Sequence, residues 1–141
     1  MDFLGDLSPV LVISGLVWFT AEVTKYLISR TADPERHFLD SGGMPSAHTA
    51  IIVSATTAIA LAEGIGSPLF ALAVVVSAIV MHDAVRVRWP LGEATERLNE
   101  LSAEAKLSTL PVFRGHRIRE VVAGAVYGAV LAAVLYQLLY P

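Results

Sequence analysis

The stretch VVAGAVYGAVLAAVLYQLLYP, residues 121–141, contains no charged side chain. A helix needs about 20 apolar residues to cross the hydrocarbon core of a bilayer. A helix also satisfies its own backbone hydrogen bonds, which an open strand edge in lipid does not. The stretch therefore predicts a membrane-spanning helix, which we place at residues 117–139.

Three further apolar stretches have the length of a span, at residues 8–29, 46–63 and 67–87. The first carries Glu22 and Lys25 near its C-terminal end. Together the four stretches predict an all-α integral membrane protein, a four-helix bundle forming a single domain over residues 1–141. A soluble all-α bundle with unusually apolar helices is the alternative.

The composition agrees with a membrane protein. Hydrophobic residues make up 55% of the chain and charged residues only 16%, against about 25% charged residues in soluble domains. This balance excludes a disordered chain and a typical cytosolic enzyme, and we expect no nucleic-acid partner. Because the chain has no cysteine, cysteine nucleophiles and thiolate metal sites are excluded as well.

The basic residues predict the orientation. All ten Lys and Arg lie in the connections after the first and third spans or in the helix ends beside them. The positive-inside rule places both connections in the cytoplasm and both termini outside. We therefore expect a multi-pass protein of the cell membrane whose basic end faces the cytoplasm.

The connection after the third span, about residues 88–116, predicts an amphipathic helix at the cytoplasmic interface. Its apolar positions recur at helical spacing: Leu91, Ala94, Leu98, Leu101 and Ala105. The opposite face is charged: Glu93, Glu96, Arg97, Glu100 and Glu104. We expect Pro90-Leu91-Gly92 to break the chain before this helix.

The second span begins with Gly42-Gly43-Met44-Pro45-Ser46-Ala47-His48. Glycines let the backbone come close to a ligand, and a helix N-terminus attracts anions. The N–H groups of Gly43 and Ala47, with the Ser46 side chain, are therefore candidate phosphate donors. A turn in which Ser46 caps the helix is the alternative.

The fourth span begins with His116 and Glu120, which share a helix face because they are four residues apart. A carboxylate one turn away holds an imidazole in one tautomer and leaves the other nitrogen for chemistry. The alternative is a basic helix start at which Arg117 and Arg119 meet lipid head groups.

Two charged clusters lie at the same predicted end of the bundle. Asp83, Arg86 and Arg88 end the third span, and arginine forks fit phosphate oxygens. Lys25 and Arg30 end the first span. For Asp83 the alternative is a tether for one arginine, and for Lys25 it is an ion pair with Glu22. If the four ends converge, they combine cations for the phosphate oxygens with two histidines that can supply a nucleophile and an acid for the leaving group, as phosphoryl transfer uses.

These motifs resemble the divergent branch of the PAP2 superfamily, the relatives of type 2 phosphatidic acid phosphatases and vanadium haloperoxidases. Pro45-Ser46-Ala47-His48 is similar to the family's Pro-Ser-Gly-His motif, and His116-x-x-x-Glu120 is similar to its last motif. The resemblance covers about residues 20–128. Glu120 replaces an aspartate, and Arg86 or Arg88 stands in for a missing Ser-Arg dipeptide.

The resemblance implies metal-independent hydrolysis of a phosphomonoester or diphosphate through a phosphohistidine. His116 would be the nucleophile, Glu120 would orient it, and His48 would be the acid and base. Phosphate oxygens would be held by the cations and donors of the four helix ends: Lys25, Arg30, Gly43, Ser46, Ala47, Arg86 and Arg88. A phosphorylated lipid or prenyl diphosphate, with its tail among the membrane lipids, is the expected substrate.

Two other functions stay open. Asp83, Glu120 and a histidine would bind Mg²⁺ or Mn²⁺ in a metal-dependent lipid phosphotransferase. A non-catalytic lipid-binding or scaffold protein is the third possibility. Gly124-x-x-x-Gly128 predicts a flat helix face for close packing, either inside the bundle or in a homo-oligomer.

Overall fold

The computed structural model describes residues 7–30, 43–105, 107–112 and 115–141, and for Arg30 the backbone alone. Within these ranges the chain is helical and contains no strand. The α-helices are α1 (Pro9–Arg30), α2 (Ala47–Glu63), α3 (Pro68–Asp83), α4 (Trp89–Glu104) and α5 (Ile118–Leu139). A π-helical segment, Ala84–Arg88, joins α3 directly to α4.

Helix α2 is the central element, in contact with α1, α3 and α5. The buried core between these helices consists mainly of small residues: Ile13, Val17, Ala21, Ala47, Ala50, Ala58 and Ala132. Lipid tails are as apolar as leucine, so helices in a membrane associate by close van der Waals packing, which small side chains allow. The alanines of α2 thus let three neighbours approach it closely.

The Gly124 and Gly128 face of α5 packs inside the molecule. A Cβ at Gly124 would lie 2.5 Å from the Ser46 carbonyl oxygen, and one at Gly128 would lie 2.5 Å from that of Ala50. Both positions therefore require glycine for the contact with α2. This face is used within the bundle, so the homo-oligomer, which stays a prediction, needs another surface.

Among the described residues, three helical stretches are long and apolar enough to cross a membrane: Pro9–Ser29, Pro68–Glu104 and Ile118–Leu139. The predicted membrane protein is confirmed to this extent. Helix α2 has 17 residues, about 25 Å at 1.5 Å per residue, against a hydrocarbon core of about 30 Å. A crossing by α2, and with it the count of four spans, stays a prediction.

The expected break at Pro90 is wrong. Helix α3, the π segment and α4 run on without interruption, and Pro90 lies in the first turn of α4. Proline donates no backbone hydrogen bond, and its ring crowds the preceding turn of a continuous helix. The wider π turn immediately before it makes room for a ring that would otherwise collide with the preceding turn.

A helix, α4, covers the segment in which the amphipathic helix is predicted. Its apolar residues Leu91, Leu98 and Leu101 are exposed, as expected for a helix whose apolar face has no partner within the bundle. Its place at the cytoplasmic interface stays a prediction.

Candidate active site

The starts of α2 and α5 and the π segment meet at one end of the bundle. The backbone N–H of Ser46, at the start of α2, donates to the carbonyl of Glu120 in the first turn of α5 at 3.1 Å. The backbone N–H of His116 donates to the carbonyl of Ala84 in the π segment at 3.2 Å. These two bonds connect three helix ends that are far apart in the sequence.

His116 is buried at this junction, with 6% of its surface exposed. Its Nδ1 lies 3.1 Å from Oε2 of Glu120. The same carboxylate oxygen accepts the backbone N–H of Arg117 at 3.2 Å. A carboxylate only accepts, so Nδ1 carries the proton and the lone pair of the neutral ring is on Nε2.

His48 stands opposite His116. The two ring centroids are 6.3 Å apart, and the ring planes are inclined by 57°. His48 is exposed, in the first turn of α2. One imidazole is thus fixed and buried while the other is open to solvent, and a group placed between them would touch both.

Burial lowers the pKa of His116 below its usual value of 6.5. The hydrogen bond and charge of Glu120 act in the opposite direction, and the charges of His48 and Lys25 lower the pKa further. Desolvation is the largest of these effects because it disfavours the charged ring. His116 is therefore neutral at pH 7, the form a nucleophile needs.

Lys25 is buried on α1, with 5% exposure. Its Nζ lies 2.5 Å from Oε2 of Glu22, one turn earlier. This is the ion pair that the spacing left open. The charge of Lys25 nevertheless acts on both histidines and lowers the pKa of His116.

The π segment supplies the arginines. Nε of Arg88 lies 2.6 Å from Oδ2 of Asp83, so Asp83 tethers this arginine, and the charge of Arg88 acts on the His48 ring. Arg86 is exposed on the same segment. Within the described part of the chain, no three His, Asp or Glu side chains form a group that could hold a metal ion. The alternative role of Asp83 as a metal ligand stays a prediction.

Ser46 caps α2. It is fully buried, and its hydroxyl accepts from the backbone N–H of Thr49 at 3.4 Å and from the Thr49 hydroxyl at 3.1 Å. The alternative interpretation as a helix cap is thus observed, and a direct phosphate contact from Ser46 stays a prediction. Ala47 begins the helix beside it, and Gly43 has a φ of 95°, which favours glycine.

Some predicted residues lie outside the described ranges. These are the Arg30 side chain, Gly42, and three of the basic residues used for orientation, Arg36, Lys106 and Arg114. Sequence reasoning missed the Thr49 hydroxyl, which donates to Ser46, and the Trp89 ring, which lies beneath the Arg117 guanidinium. It also missed the close contact of Gly115 with the Trp89 backbone. For Gly115, its position directly before His116 was the available signal in the sequence. For Trp89 and Thr49, the sequence contains no signal of a functional role without the fold.

Comparisons with known proteins agree with the family that the motifs resemble and with a membrane protein. The model of the Divergent PAP2 family matches residues 7–131. A protein of Bacillus subtilis (strain 168) named "Uncharacterized membrane protein YuiD" is 31% identical over 105 residues, or 72% of this chain. The match spans 65% of that relative's length, less than two thirds. No solved structure matches the chain.

Proposed function

Because the chain belongs to the divergent PAP2 family, we propose that it is a membrane phosphatase acting through a phosphohistidine. The observation that carries the proposal is the pair of unlike histidines. His116 is buried with Nδ1 bonded to Glu120, and the exposed His48 ring lies 6.3 Å away. A nucleophile held by a carboxylate and faced by a second acid–base group is the arrangement that covalent catalysis uses.

In the first half-reaction, Nε2 of His116 attacks phosphorus and the bond from phosphorus to the leaving oxygen breaks. Protonated His48 gives its proton to that oxygen, so the leaving group departs as an alcohol or a phosphate. The developing imidazolium of His116 is stabilised by Glu120, which also keeps Nε2 aimed at the phosphate.

In the second half-reaction, water attacks the phosphohistidine. His48, now neutral, accepts a proton from the water, and the bond between Nε2 and phosphorus breaks. Phosphate is released, His116 returns to its neutral form and His48 is protonated again, so the cycle balances without a further reactant.

Cations of the chain stabilise the charge on the equatorial oxygens. Lys25 and Arg88 are supported best, because their charges act on the histidines. Arg86, Arg30 and the N–H groups of Gly43 and Ala47 complete the proposed set. Since these groups supply the positive charge, the proposed mechanism uses no divalent cation.

An amphiphilic substrate, a lipid phosphate or prenyl diphosphate, is the proposed class. The site lies at the end of helices whose outer faces are apolar, with exposed Leu72 on α3 and Val122 on α5. A lipid tail can stay against such faces while the headgroup reaches His48. We place this end at the cytoplasmic interface of the cell membrane, from the distribution of the basic residues.

The test is a phosphate-release screen with the purified protein in lipid nanodiscs. Lipid phosphates and prenyl diphosphates are compared with and without EDTA, for the wild type and for His116→Ala, His48→Ala and His82→Ala. His82 is the matched control because it is an exposed histidine in the last turn of α3. Loss of a general acid costs about 10²–10⁴-fold in rate.

We expect His116→Ala to abolish turnover, His48→Ala to lower it by that factor, and His82→Ala to leave it unchanged. Absence of turnover on every substrate would leave the non-catalytic lipid-binding function. Activity that EDTA abolishes and Mg²⁺ restores, together with metal binding that Asp83→Asn destroys, would favour the metal-dependent phosphotransferase.

A further inference from the structure

The chain between α4 and α5 returns to the π segment and ends on His116. We call its described residues, 107–112 and 115–117, the return segment. At its end the His116 N–H donates to the carbonyl of Ala84, the first residue of the π segment. The guanidinium of Arg117 lies over the ring of Trp89, 5.0 Å from its centroid, and Trp89 directly follows the π segment.

Gly115 makes the closest of these contacts. A Cβ at this position would lie 2.2 Å from the Trp89 nitrogen, 2.5 Å from the Arg88 carbonyl carbon and 2.7 Å from the Trp89 Cα. All three are backbone atoms, which cannot rotate away as a side chain can. The return segment therefore lies directly on the helix backbone at the junction of the π segment and α4, and only glycine permits it.

The π geometry explains why the contacts of His116 with Ala84 and of Gly115 with Trp89 fall on the same side of the continuous helix formed by α3, the π segment and α4. Ala84 and Trp89 are five residues apart. In a regular α-helix, residues five apart point about 140° away from each other, from 3.6 residues per turn. In a π turn, bonded i to i+5, they lie above one another. The π segment thus presents the Ala84 carbonyl and the Trp89 backbone to the same incoming chain.

We propose that the π segment positions the nucleophile, by forming a two-point seat for Gly115 and His116. The Ala84 carbonyl fixes the His116 backbone and the Trp89 backbone receives Gly115, so the His116 ring is held beside Glu120 and opposite His48. Gly115 is then a positioning residue. The role of His116 as nucleophile rests on the proposed function, whereas the placement of its ring does not.

The test uses the full chain in nanodiscs and measures two quantities. The first is the titration of the His116 ring, followed by NMR of ¹³C-labelled histidine, and the second is kcat and KM for phosphate release. Gly115→Ala is compared with two matched variants, Gly15→Ala and Gly128→Ala. A Cβ at Gly15 meets nothing within 4 Å, and one at Gly128 meets the Ala50 backbone, away from the return segment.

We expect Gly115→Ala to displace His116 from its buried place, so that the ring's pKa rises towards 6.5. Its kcat should fall by about 10²-fold, as for a misplacement near 1 Å, with KM close to the wild-type value. Gly128→Ala should lower thermal stability, and both control variants should keep the wild-type titration. An unchanged titration in Gly115→Ala, or an equal change in Gly128→Ala, would overturn the proposal.

Where Gly115→Ala does not insert into nanodiscs, hydrogen exchange of the wild-type chain tests the seat. The His116 amide, which donates to the Ala84 carbonyl at 3.2 Å, should be protected, as should amides within α5. Trp89→Leu removes only the ring beneath Arg117 and keeps both backbone contacts, so the His116 amide should stay protected in it. Rapid exchange of the His116 amide in the wild type would overturn the seat. A wild type without phosphatase activity, with titrations as expected, would refute the proposed function and support the seat.

Discussion

At the scale of single residues, Glu120 does two things with one carboxylate. It accepts Nδ1–H of His116 and the backbone N–H of Arg117, at 3.1 and 3.2 Å. The second bond satisfies an N–H at the start of α5 that has no partner within the helix. Because the helix start fixes the carboxylate, the carboxylate can fix the imidazole.

The first prediction concerns Glu120→Gln and the pH dependence of kcat/KM. The attacking form of His116 is neutral, so activity is lost as the pH falls through its pKa, which burial places below 6.5. Glu120 raises this pKa. Its replacement by glutamine should therefore lower the pKa, move the acid limb to lower pH and reduce the plateau. An acid limb that moves to higher pH would contradict the assigned role.

The second prediction compares Arg88→Ala with Arg86→Ala in the binding of vanadate, which mimics the trigonal-bipyramidal phosphorus. Arg88 is held by Asp83, and its charge acts on His48. A hydrogen bond to a charged group contributes about 1.5–3 kcal/mol, so Arg88→Ala should weaken vanadate binding roughly tenfold to a hundredfold. Arg86→Ala should weaken it less, and calorimetry distinguishes the two. Equal losses would contradict the choice of Arg88.

The sequence predicted the local parts of the site. His116 and Glu120 are four residues apart, and a helix places such residues on one face. The ion pair of Glu22 and Lys25 follows from spacing in the same way. Contacts between distant segments were not predictable. Gly115 lies on the backbone of Trp89 because of a π turn, and neither the turn nor the contact has a periodicity that a sequence displays.

At the scale of elements, α4 is fixed to the return segment by one side chain. The amide of Asn99 donates to the Leu110 carbonyl at 2.8 Å, and its oxygen accepts the Leu110 N–H at 2.7 Å. Both backbone groups of Leu110 are thereby satisfied, as a segment without regular structure requires. The connection follows α4 back towards the π segment instead of leaving it.

The third prediction is that Asn99→Ala releases this connection. The amide of Leu110 should lose its protection in hydrogen exchange, while Asn99→Asp, which keeps the acceptor oxygen, should retain part of it. Amides within α5 should keep wild-type protection in both variants. Wild-type exchange at Leu110 in Asn99→Ala would show that the two bonds do not hold the segment.

At the scale of the whole molecule, the two ends differ in chemistry. One end carries the histidines, the ion pair of Lys25 and Glu22, and the arginines of the π segment. At the other end the hydroxyl of Tyr140 donates to the carbonyl of Leu7 at 3.3 Å, and α2 turns into α3 at Gly64–Ser67. The apolar helices were evident from the sequence, and the stretch predicted at residues 46–63 agrees with α2, Ala47–Glu63.

The fourth prediction is the orientation of these ends. The chain has no cysteine, so single cysteines at Ala103 and Gly66, both exposed, give no background in labelling with a membrane-impermeant reagent. Ala103→Cys should react only from the cytoplasmic side and Gly66→Cys only from outside. Labelling of both from the same side would contradict the four-span arrangement.

Identification of the phosphorylated residue tests whether His116 is the nucleophile. The protein is mixed with a ³²P-labelled substrate, quenched in alkali, which preserves phosphohistidine, and digested for mass spectrometry. We expect one labelled peptide with the phosphate on His116. It should be absent in His116→Ala and still form in His48→Ala from a substrate whose leaving group needs no proton. Phosphate on His48, or turnover without any phosphorylated enzyme, would contradict this assignment.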